Sequence, residues 1–113
     1  MRKSDKKIDN KVRLALTEVC DTALKNFNGF EWLTHLVNYS NFPKSLKVIC
    51  VFDTKANLSR FKESNSYHEL GSLIQKKLFD MGINLTNITS QISYDTEEDC
   101  KTSNNGKWAD RLE

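Results

Sequence analysis

Residues 46–52 read LKVICVF and are closed by Asp53-Thr54. A run this dense in Val, Ile, Cys and Phe has the composition of a strand buried on at least one face. Alternation gives it a wholly apolar face of Leu46, Val48, Cys50 and Phe52, and a mixed face of Lys47, Ile49, Val51 and Asp53. Ile49 and Val51 imply that the mixed face is also partly covered, by the C-terminal tail or by another copy of the chain. At 113 residues the chain is one domain's worth, with one modest core built around this strand.

The flanking segments supply helices. Ile8, Val12, Leu16, Val19, Ala23 and Phe27 recur every three or four residues, which predicts one apolar stripe along a helix from about Asp5 to Phe27. Asn28-Gly29 is its stop signal. Residues 30–39 (FEWLTHLVNY) are aromatic and β-branched, favouring the first strand of a hairpin, with a short helix as the competing assignment. Thr54 can cap a short helix anchored by Leu58 and Phe61. Ser66 and Glu69 have capping-box spacing and open a helix on Leu70, Leu73, Ile74, Leu78 and Met81 that ends at Gly82. The residues after Gly82, with their isoleucines and threonines, predict a strand with a bulge, paired over Leu85–Tyr94 with Leu46–Phe52. Residues 96–107 read as a polar loop. The domain is therefore expected to span 1–96, followed by an acidic tail, 97–113, that docks through Trp108.

The predicted class is α+β in the order αββααβ, a three-stranded sheet with helices on one face. That order is the order of the type II KH fold. Within it the chain resembles the ribosome-binding factor A family over residues 5 to about 96. The resemblance lies in a basic first helix, a hairpin strand ending Asp53-Thr54-Lys55, SLIQKKL (Ser72–Leu78), and a last strand ending ISYD (Ile92–Asp95). It implies RNA or the ribosome as partner. KH domains hold RNA on a G-x-x-G loop between paired helices; the corresponding Lys62–His68 contains no glycine, so any RNA contact here must come from side chains. A shorter stretch, MGIN (Met81–Asn84) after KKLFD, resembles the turn of the Fis family of DNA-bending regulators. That would make Leu85–Tyr94 a recognition helix, yet the segment holds neither Arg nor Lys to meet phosphates or bases.

Charge points the same way. The net charge is only +2, but residues 1–14 carry six basic and two acidic side chains, and residues 95–113 carry three basic and six acidic ones. The candidate nucleic-acid-binding residues are Lys6, Lys7, Lys11 and Arg13 on the first helix, Lys55, Arg60 and Lys62 on the short helix, and Lys76 and Lys77 on the next. The alternative is a protein-interaction or homodimerisation surface built on Ile49, Val51 and Trp108.

No catalytic set emerges. His35 and His68 flank no cysteine, and Cys20, Cys50 and Cys100 lack the close pairing of a zinc site. Glu97-Glu98-Asp99 has no turn glycine to make a cation loop, and the glycines stand singly, so there is no phosphate loop. The expectation is a protein that is not an enzyme and uses no cofactor or metal. An odd cysteine count and the lack of a long apolar run lead to the reducing cytoplasm as its expected place, without a membrane span.

Overall fold

The computed structural model describes residues 2–112. Helix α1 (Lys3–Asn26) leads through a tight turn to strand β1 (Phe30–Leu36), a 3-10 turn at Tyr39–Asn41 and strand β2 (Lys47–Phe52). Helices α2 (Lys55–Glu63) and α3 (Ser66–Asp80) follow, then a single turn α4 (Ile88–Gln91), strand β3 (Ile92–Thr96), and helices α5 (Glu97–Asn104) and α6 (Trp108–Arg111). The architecture is α+β. The sheet order is β1-β2-β3, with β2 antiparallel to β1 and parallel to β3.

The stripe read along α1 is the buried stripe: Val12, Ala15, Leu16, Val19 and Ala23 all join the core. They meet Leu70, Ile74 and Leu78 of α3 and Phe61 of α2 over the Val48–Cys50–Phe52 face of β2. Phe52 is the centre of this layer, with ring centroids 4.6 Å from Phe61 and 5.7 Å from Phe30. Gly29 makes the α1–β1 turn at φ +88, where its carbonyl accepts the Asp53 N–H at 2.9 Å. A Cβ there would lie 2.7 Å from Asn57 Cβ, so both the dihedral and the close approach require glycine.

Three local expectations are corrected. Leu85–Tyr94 is extended only from Ile92. Asn87 caps a helical turn by accepting the Ser90 N–H, and the buried Gln91 amide then fills the role a strand residue would have had. Its Nε2 donates to the Pro43 and Leu46 carbonyls at 2.8 and 3.0 Å, and its Oε1 accepts from the Thr86 and Asn87 N–H groups. That side chain ties the β1–β2 connection to the approach to β3. Second, the capping box at Ser66 does not form. Asn65 is already helical, so Ser66 lies inside the helix, and its N–H goes to Ser64 Oγ.

Third, most of the segment read as a polar loop, 96–107, is the helix Glu97–Asn104. Thr96 caps α5 by accepting the Asp99 N–H at 3.0 Å, and Glu97, Glu98 and Asp99 fill the first turn, where the helix dipole favours acids. Asn105 and Gly106, both at positive φ, end it. Together α5 and α6 lie over the face of the sheet opposite α1–α3, so helices cover both faces.

The core assignment gives a direct test. Phe52→Ala is expected to cost about 3–5 kcal/mol in a urea melt, through lost transfer energy and the cavity left between Phe30 and Phe61. A loss under about 1 kcal/mol would contradict the packing described.

Candidate nucleic-acid interface

The nine basic side chains singled out above fall into two groups. Arg13 Nε is held at 2.7 Å by Asp9, and Lys55 Nζ lies 3.6 Å from Asp99 while its backbone N–H donates to Glu98. Arg60 donates to Asn57, Lys76 pairs with Asp80 at 3.3 Å, and Lys77 reaches Glu18 at 4.0 Å. Lys6, Lys7 and Lys11 are exposed on the first turns of α1 and make no ion pair among the described residues. Lys62 stands over the Tyr94 ring, 5.8 Å from its centroid. Exposed pairs such as Lys76–Asp80 are worth about 0–1 kcal/mol and exchange readily for a polyanion, whereas the Asp9–Arg13 pair is fixed by further bonds.

Tyr94 is also a wall of a cleft of about 260 Å³ between α3 and the α4–β3 segment, which Lys62 itself does not line. Tyr67, Tyr94, Ile88 and Ile92 are its aromatic and apolar walls; His68, Ser72, Gln75 and Thr89 are its polar ones. Tyr67 is 44% exposed and its ring lies 5.3 Å from that of Tyr94. Phe79, 65% exposed, continues the same side of α3 one turn past Gln75. No carboxylate among the described residues lines the cleft. Among the described residues the His68, Ser72, Gln75 and Thr89 side chains make no internal hydrogen bond, and His68, Ser72 and Thr89 are exposed to solvent. Burial raises the Tyr94 phenol well above its ordinary value and keeps it neutral.

A second polar constellation joins α1 to the sheet edge. Asp9, buried on the flank of α1, accepts from the Tyr39 hydroxyl, from Arg13 Nε at 2.7 Å and faces His35 Nε2 at 3.3 Å. Those partners, the Tyr39 hydroxyl first, hold its carboxyl down at about 2, while burial and Asp9 together push the Tyr39 phenol up. The adjoining groove, about 660 Å³, brings Cys20 of α1 onto the same wall system as His35, a juxtaposition invisible in sequence because α1 and β1 had to be packed first. Burial raises the Cys20 thiol, and it pushes Cys50 up to about 12. Both thiols therefore stay protonated, and the His35 ring faces Asp9 rather than a thiolate.

The residues read as a protein interface are placed differently. Ile49 and Val51 are buried within the chain itself and offer no open patch. Val51 shares its sheet face with Trp32 and Asp95, its register partners. Trp108 meets the Trp32 ring edge-on, with centroids 4.9 Å apart, and the two indole N–H groups donate to the two oxygens of Glu97. Arg111 forms a bidentate pair with Asp95 at 2.7 and 2.9 Å and also reaches Asn104. Trp108 thus docks α6 on the sheet.

Sequence reading missed the Tyr67–Tyr94 cleft, since its walls come from segments about twenty residues apart. The nearest signal was Tyr67, an aromatic within the glycine-free Lys62–His68 segment. No protein-family model, curated protein or solved structure matches the chain. Among the described residues, no helix is long and apolar enough to cross a membrane.

The Asp9 cluster predicts a pH dependence with a definite sign. A carboxylate depressed to about 2 in the fold and near its ordinary value when unfolded stabilises above about pH 4 and loses that contribution as pH falls toward 2. The stability gap between wild type and Asp9→Asn, measured by denaturant melts, is expected to be constant above about pH 5 and to close between about pH 4 and 2. A gap that ignores pH over that window would contradict the cluster.

Proposed function

We propose that this chain is a small non-enzymatic module that binds single-stranded nucleic acid, RNA in the first place, free or within the ribosome. The observation that carries the reading is Lys62 over Tyr94, which with the exposed Tyr67 walls a cleft lined by no carboxylate among the described residues. Single strands are held by cations that follow the backbone and aromatic rings on which bases stack, each stacked base contributing about 1–3 kcal/mol. Lys6, Lys7 and Lys11 supply a second block of uncommitted charge. The Fis-like reading has less support: a recognition helix needs several turns and basic side chains, and Ile88–Gln91 is one turn with none. A protein-interaction role without nucleic acid rests on Leu14, Leu24 and Phe79, all large, apolar and exposed.

Counterion release makes the first reading testable. Affinity for a single-stranded RNA of mixed sequence is expected to fall by orders of magnitude between about 50 and 200 mM salt, and the Lys6→Glu, Lys7→Glu, Lys11→Glu triple variant is expected to flatten that dependence. Fluorescence anisotropy reads both. Absence of binding up to tens of micromolar at about 50 mM salt, together with salt-insensitive self-association in sedimentation, would move the reading to protein interaction.

A further inference from the structure

Gly71 sits in the second turn of α3, where glycine is a poor choice. A helix-interior glycine costs roughly 0.5–1 kcal/mol relative to alanine, through the backbone entropy lost on folding. At Gly71 no packing demand offsets that cost. Its φ is ordinary for a helix, and a Cβ built on it would meet no atom within 4 Å, the helix's own backbone aside. The open space beside it is the Tyr67–Tyr94 cleft, of which Gly71 is a wall.

We propose that Gly71 leaves room for one nucleobase of a bound single strand, seated flat against the α3 backbone between Tyr67 and the Ile88–Ile92 wall. The proposal rests on the nucleic-acid reading above and deepens it. Three features select this occupant. The cleft, at about 260 Å³, lies below the roughly 300–1,000 Å³ of sites that enclose a whole drug-sized ligand and has room for one ring system. Its walls pair a stacking surface with free polar groups on Ser72, Gln75 and Thr89, the combination that reads the edge of a splayed-out base. Lys62, over the ring of the wall residue Tyr94 though not itself lining the cleft, is a cation for the adjoining phosphate.

The test uses the full chain and a short fluorescein-labelled single-stranded RNA, with the corresponding duplex as a second probe. Gly71→Ala is expected to raise the melting temperature, because the helix gains alanine without a clash, and to weaken single-strand binding. Gly71→Leu, which fills the cleft, is expected to weaken it by about tenfold or more, the loss of one stacked base. Duplex binding, which presents phosphates but no splayed base, is expected to be unchanged in both. A more stable Gly71→Ala protein that binds less tightly separates this effect from misfolding. If both variants bind the single strand as wild type does, while the triple lysine reversal weakens it, the base site is overturned and the nucleic-acid reading stands. If wild type binds neither probe, both are overturned.

Discussion

From Val48 to Phe52 strand β2 is buried on both faces, and the rest of the molecule is arranged to keep it so. Val48, Cys50 and Phe52 are sealed by α1, α2 and α3, and Ile49 and Val51 lie buried on the opposite side. The second covering is a different kind of structure from the first. It is thin, made of two short helices, and it is held by directed polar bonds: both indoles on Glu97 and the Arg111–Asp95 fork. An apolar layer alone would not fix so small an element; charge-assisted and bidentate bonds do, because their geometry admits one arrangement. The acids at the front of α5 also reach back to α2, where Glu98 takes the Lys55 N–H and Glu98 N–H donates to the Asp53 carbonyl.

That arrangement determines which charges are free to act. Within the acidic C-terminal segment Asp99 pairs with Lys55 and Asp95 with Arg111, and Asp9 pairs with Arg13, so part of the segment's negative charge is met within the chain while Glu98 and Asp110 stay exposed. Among the described residues, Lys6, Lys7, Lys11 and Lys62 are cations outside any ion pair, as are the scattered Lys25, Lys44, Lys47, Lys101 and Lys107. The uncommitted aromatic surface runs along α3, from Tyr67 to Phe79. Lys62 and the exposed Tyr67 both stand against Tyr94, a wall of the α3–β3 cleft, and the proposed function is put there for that reason.

The layer on the helical face was legible in the sequence because burial there follows periodicity: the stripe from Val12 to Ala23 and the alternation of Val48, Cys50 and Phe52 each have one physical solution. Elements governed by a single side chain's hydrogen bonds were harder. Gln91 in an apolar segment reads as a solvent-facing strand residue, yet it is buried and bonded at both ends of its amide. Thr96-x-x-Asp99 before Asn105-Gly106 did carry helix start and stop signals, outweighed in the reading by polar composition. The nine basic positions were legible as residues but not as a site, since whether a lysine is free depends on acids far away in sequence, as Asp99 is from Lys55. Gly71 gave no signal until its surroundings were visible; a helical glycine speaks for an open cleft only when nothing is packed against it.

The central claim is that nucleic acid binds the α3–β3 cleft, and the most direct measurement is amide chemical-shift mapping of the isotope-labelled protein titrated with single-stranded RNA at low salt. The account predicts that the largest changes fall on Lys62, Tyr67–Gln75 and Thr89–Tyr94, with smaller ones at Lys6, Lys7 and Lys11. Changes concentrated instead at Arg13–Cys20 and Leu33–His35, along the groove between α1 and the sheet edge, would contradict it.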